Sequence, residues 1–215
     1  GGPSGVAASC GAGWQHAREL NPNLAGFQGW TVQVVVMPKP LPVVTLVSYG
    51  TPGSWWVHDV YLNQADPSAP PEPELQINGK VLDAVASGTT LRLLVHASNK
   101  LGVETWTWGA SGDPKITTTA IDGMVPDCSV VTGKLDVTAD GTVTAAVQCD
   151  DQVAFAHPGQ ALGPWLGEVK PLAKVVAARP DAQPAFLHTD TGELWALHST
   201  RSGLNVRSLD GRAHV

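Results

Sequence analysis

The side chains in this 215-residue chain that could carry chemistry are few: seven histidines, nineteen acids and three cysteines. Histidine titrates near neutrality, so His58 beside Asp59, His188 two residues before Asp190, and His198 are the acid-base candidates. A hydrolase of the Ser-His-Asp type also needs an activated serine. No Gly-x-Ser-x-Gly elbow occurs, and Ser98, Ser199 and Ser202 read as turn residues. His188 and His198 stand ten residues apart across a hairpin, a spacing that is not diagnostic of a metal pair, and the chain has no His-x-x-x-His on a helix and no close cysteine pair. The acidic pairs Asp150-Asp151 and Glu72 with Glu74 fall at turns, where solvated carboxylates are usual. These residues lead us to expect no catalytic group, metal or cofactor.

Tryptophan is the unusual residue, with eight against two tyrosines and three phenylalanines. An indole offers a broad apolar face and one N–H donor, a combination that serves either packing or ligand stacking. Trp55, Trp56, Trp106, Trp108, Trp165 and Trp195 are the candidates. Trp55 and Trp56 are adjacent, so on a strand they point to opposite faces, whereas Trp106 and Trp108 share one face as a platform or a pair of core plugs.

The elements that must position these residues read as strands. With 23 Gly, 17 Pro and 15% charged residues, the chain lacks the Ala/Leu/Glu/Lys-rich stretches of long helices. The one short helix-compatible stretch is residues 14–20. Loose echoes of a strand-turn-strand unit recur at residues 43–57, 91–108, 142–155 and 184–199. Taking Leu46, Leu93, Ala145 and Phe186 as equivalent, the spacings are close to the length of a propeller blade, about 40–50 residues. The expected fold is all-β, a small β-propeller of about five blades, with a β-sandwich as the alternative. Residues 1–29 read as an N-terminal arm or blade-completing segment, and residues 30–215 as one all-β repeat domain. Asn78-Gly79 reads as a tight hairpin turn, and the proline-rich residues 64–74 as an extended connection.

A second hairpin, residues 134–138 and 142–147 around Ala139-Asp140-Gly141, would bring Cys128 and Cys149 together. A disulfide there implies an oxidising compartment, hence a secreted or surface protein. The net charge of −6 and the scattered basic residues argue against nucleic acid or an anionic membrane as partner. Prolines interrupt the longest apolar run, residues 32–47, so no membrane-inserted helix is expected. Low lysine with abundant Ala, Val, Asp and Gly hints at a GC-rich bacterial source.

Residues 184–209 run through an apolar strand ending at His188, an Asp190-Thr191-Gly192 turn, Leu194-Trp195, Ser202-Gly203 and a last strand. This stretch resembles the repeat of propeller lectins related to the Photorhabdus lectin and the tectonins. Asp190-x-Gly192-x-x-Trp195 is also similar to the tail of the sialidase Asp-box, with His188 where that motif has Ser. Departures from the lectin repeat are Phe155 in place of a Trp, the doubled Trp55-Trp56, and the proline-rich insertion. The resemblance implies non-catalytic carbohydrate binding in Trp-lined clefts between blades. Trp195 and His188 would border one cleft with Trp165 as its opposite wall, and Trp106, Trp108 and Trp56 would serve others. The alternatives are a glycan-acting hydrolase or lyase on the same scaffold, and a protein-interaction or structural module docking on a partner chain.

Overall fold

A computed structural model describes residues 5–9, 14–19, 29–38, 41, 43–50, 57–63, 75–110, 112–129, 131–167, 184–188, 193–200 and 203–208. Among the described residues the protein is all-β, with sixteen strands in five antiparallel sheets and no helix. Among the described residues no helix is long and apolar enough to cross a membrane. The chain divides into two compact units, residues 1–81 and 82–215.

The first unit contains a hairpin, β1 (Gly5–Ser9) with β2 (Trp14–Glu19), and a four-stranded sheet. That sheet runs in sequence order through β3 (Gly29–Val36), β4 (Val43–Gly50), β5 (Val57–Asn63) and β6 (Leu75–Asn78). Of the helix-compatible stretch at residues 14–20, Trp14–Glu19 is therefore a strand. Its weak helical pattern gives way to pairing with β1, because ladder hydrogen bonds outweigh propensity differences of a few tenths of a kcal/mol per residue. Residues 64–74 lie outside the described residues.

The second unit is built from three sheets, each again in sequence order. The first comprises β7 (Lys80–Ser87), β8 (Thr90–Ala97), β9 (Lys100–Thr107) and β10 (Lys115–Ile121). The second comprises β11 (Val131–Val137), β12 (Val143–Cys149) and β13 (Gln152–Ala156). The third comprises β14 (Ala185–His188), β15 (Leu194–Thr200) and β16 (Gly203–Ser208). Short turns permit these meanders. Ser98 and Asn99 carry φ of 49° and 59°, the left-handed pair that a two-residue hairpin requires. Asn78-Gly79 does otherwise: only Gly79 of the two has positive φ, β6 pairs with β5, and β7 pairs with β8, so this dipeptide links strands of two different sheets. The echo residues Leu46, Leu93 and Ala145 fall on the second strands β4, β8 and β12, whereas Phe186 falls on the edge strand β14.

The sheet β11–β13 is covered on both faces. Side chains alternate along β12, so Ala145 and Val147 join Leu135 and Ala156 against Leu82, Leu94, Leu101, Val103 and Ile121 of β7–β10. Ala146, with Val153 and Phe155, turns the other way and meets Ala196 and Phe186 of the sheet β14–β16. Small residues let the sheets approach closely. A Cβ at Gly133 would lie 2.7 Å from Leu94 Cδ2 and 3.0 Å from Leu82 Cδ1, so any larger residue there would force those leucines to shift.

Two ties hold β7–β10 and β11–β13 together besides apolar contact. The buried Asp83 carboxylate accepts the Leu135 backbone N–H at 2.8 Å and pairs with Lys134 at 3.2 Å, satisfying a donor on the edge strand β11. Beyond β13 the chain returns as a strap: Gly159 N–H donates to Ala120 O, Asp122 N–H to Gln160 O, and Leu162 N–H to Asp122 O. The strap then runs back along β13, where Val153 and Leu166 exchange backbone hydrogen bonds.

The disulfide between Cys128 and Cys149 is present, with Cα atoms 5.6 Å apart. It fastens the loop after β10 to the end of β12, and next to it Ser129 donates from N and Oγ to the Asp150 carboxylate. Asp150 opens the β12–β13 turn at φ 48°. From the same loop Val125 enters the apolar cluster, its N–H donating to Asn99 O at 2.8 Å. Closing a loop of this separation is worth about 3 kcal/mol in the chain-entropy account.

Candidate functional site

The predicted ligand-stacking tryptophans occupy different environments. Trp106 and Trp108 are buried at 1% and 5% exposure, with ring centroids 6.3 Å apart, and act as core plugs rather than as a platform. Trp195 is buried at 8%. In both hairpins a glutamate two residues upstream accepts the indole N–H, Glu104 from Trp106 at 3.0 Å and Glu193 from Trp195 at 3.4 Å. The recurring Glu-x-Trp was readable in the sequence: residues i and i+2 of a strand share a face, and a buried indole N–H needs an acceptor. Trp56 lies outside the described residues. For His188 only the backbone is described, paired with Leu194.

Trp165 differs in being half-buried. It stands on the strap and packs against the apolar cluster between β7–β10 and β11–β13. Trp195 alternates with Ala196, whose side chain faces β11–β13, so its indole lies on the other face of β14–β16. The structure therefore does not bring Trp165 and Trp195 together as two walls of one cleft. Sequence spacing could not reveal this, since the sidedness of Trp165 is set by its strap pairing with β13.

The face of β7–β10 that meets Trp165 has a graded composition fixed by strand register. Across β8, β9 and β10 its rows are Thr90, Thr107 and Lys115; Arg92, Thr105 and Thr117; Leu94, Val103 and Thr119; His96, Leu101 and Ile121. The last two rows supply Leu94, Val103, Leu101 and Ile121 to the core. In the first two rows every side chain is a hydroxyl or a cation. Arg92, Thr90 and Thr105 are half-buried, whereas Thr107, Lys115 and Thr117 are exposed. Thr117 Oγ1 donates to Thr105 O at 3.4 Å. Among the described residues nothing pairs with the Arg92 guanidinium, although it offers five N–H donors. Sequence reading passed over these residues because threonine in a strand reads as β-propensity alone.

The chemistry available here is recognition: hydroxyls and guanidinium donors in fixed positions, with a half-open indole on the neighbouring element. Among the described residues no three His, Cys, Asp or Glu groups gather as metal ligands. Lys80, largely buried, has its ammonium pKa lowered by desolvation, and it lies at the start of β7, away from these rows. Protein families, curated proteins and solved structures were all compared with this chain, and none matches.

Proposed function

We propose that this chain is a small propeller of about five blades that binds carbohydrate outside the cell without chemistry. The observation that carries the reading is the half-buried Trp165, packed on the apolar cluster at the junction of two sequence-consecutive sheets, where the same β8–β10 face that supplies part of the cluster continues into threonine hydroxyls. An indole stacks on the apolar C–H face of a pyranose while hydroxyls and backbone groups serve its polar rim. The layering supports the propeller: β11–β13 is covered on both faces by the preceding and following sheets, whereas each sheet of a simple sandwich packs through one face. The disulfide supports the extracellular setting, since such bonds persist in oxidising compartments.

A glycan array read together with intrinsic tryptophan fluorescence tests the proposal. A saccharide should bind and perturb the emission. Trp165→Ala should weaken that binding by about 1–3 kcal/mol, by analogy with a nucleic-acid base stacked on one aromatic side chain, and leave the fold intact. Binding to no saccharide, or undiminished binding by the Trp165 variant, overturns the reading.

A further inference from the structure

We infer that the polar half of the β8–β10 face holds an acidic saccharide, a chain bearing carboxylate or sulfate groups; the inference rests on the carbohydrate reading and names its ligand class. The chain as a whole carries a net charge of −6, yet these two rows hold Arg92 and Lys115 and no acid. Glu104, the acid of β9, is on the opposite face, where it accepts the Trp106 indole N–H. The facing side of β11–β13 is apolar from Val131 to Ala156 apart from Gln152, and the buried acid between the two sheets, Asp83 of β7, is already held by Lys134 and the Leu135 N–H.

A half-buried guanidinium that finds no partner among the described residues is costly to keep, because burial removes water from its donors while none of those residues replaces it. An arriving carboxylate or sulfate supplies two acceptor oxygens in the planar fork geometry of arginine. Arg92 and Lys115 stand two strands and one row apart, about 12 Å from strand and residue spacing. That separation suits two charged groups on successive units of a polymer. Between them Thr105, Thr107 and Thr117 present hydroxyls that donate to or accept from sugar hydroxyls.

The test measures binding of polygalacturonate, dextran sulfate, neutral dextran and polyglutamate to the full chain by calorimetry at two salt concentrations. The polyanionic saccharides should bind, more weakly as salt rises. Arg92→Gln should lower that affinity about tenfold or more, and Arg92→Lys should restore part of it. Lys115→Gln should lower affinity by a smaller factor, and Lys100→Gln, at the far end of the same sheet, should change nothing. The melting temperature of Arg92→Gln should match the parent, since among the described residues no bond is lost. Undiminished polyanion binding by Arg92→Gln overturns the inference. Binding of neutral glycans that depends on Trp165, with indifference to both polyanions, overturns the inference and leaves the carbohydrate reading standing. Equal binding of polyglutamate, or of no saccharide at all, overturns both.

Discussion

On one side of the sheet β11–β13, Leu135, Ala145, Val147 and Ala156 meet the leucines and valines of β7–β10 in a dry contact, with the disulfide at one end. On the other side Ala146, Val153 and Phe155 are interspersed along the strands with Thr132, Thr144 and Gln148, all buried. The Gln148 amide donates to Asp150 O at 2.8 Å, and the His157 Nδ1 lies 3.0 Å from Val143 O and 3.4 Å from Thr144 Oγ1. One sheet thus has one apolar face and one where buried polar groups bond within the sheet beside the apolar contact to β14–β16. Apolar contact gains from area and tolerates no polar intruder, whereas a face carrying polar groups gains little per bond but accepts groups that find a partner.

The largest expected effect opens the dry side. Leu94→Ala removes a fully buried side chain from the centre of that contact and should cost about 2–5 kcal/mol in urea unfolding, because the neighbouring backbone cannot collapse into the space. A loss under about 1 kcal/mol would mean that the contact is looser than its burial implies. A sharper comparison comes from adjacent residues given the same change. Ala145→Ser places a hydroxyl among apolar neighbours and should cost about 1–3 kcal/mol. Ala146→Ser places it on the face of Thr144 and Gln148 and should cost about 1 kcal/mol less. Equal losses would erase the distinction between the faces.

The smallest effect falls in the β11–β12 hairpin, which serves neither face and gives a baseline. The Asp140 carboxyl is held below its ordinary value of 3.8 by the Thr138 hydroxyl first and then by Thr142. A carboxylate with a lowered folded-state pKa contributes stability above its unfolded pKa, and that contribution disappears as pH falls through the folded value. Asp140→Asn should therefore melt slightly below the parent at neutral pH. The two curves should converge under acid conditions below the ordinary carboxylate range. A difference that persists there would assign the effect to turn geometry instead of charge.

Much of this layout is legible in the sequence, for reasons that particular residues make clear. Alternating Val and Thr with glycine turns identifies the strands, and Ala139-Asp140-Gly141 identifies the hairpin whose closure joins Cys128 to Cys149. Where a local signal has two readings, the sequence does not choose. Asn78-Gly79 has the composition of a hairpin turn, but whether the next strand pairs back or starts a new sheet depends on contacts many residues away. Residues 14–20 show the same ambiguity between helix and strand. The tryptophans are the plainest case: Trp106 and Trp165 look alike in sequence, yet one lies inside its sheet and the other rides on a strap whose course is fixed by hydrogen bonds to β10 and β13. The row of Arg92, Thr105 and Thr117 emerges only from register, which brings three dispersed residues side by side.

The strap also imposes an order of events on a chain that emerges from the ribosome end first. The sheet β7–β10 is complete at Ile121, but the outward backbone groups of Ala120 and Asp122 meet their partners only at Gly159, Gln160 and Leu162. Those partners follow about forty residues later, a delay of a few seconds at synthesis rates of about 5–20 residues per second. β10 stays an edge strand in the finished sheet, and for that interval its Ala120–Asp122 end is uncovered as well. Threonines pair readily as strands, so the guard along this edge is the charge of Lys115 at its start, while the later strap covers the other end at Ala120 and Asp122.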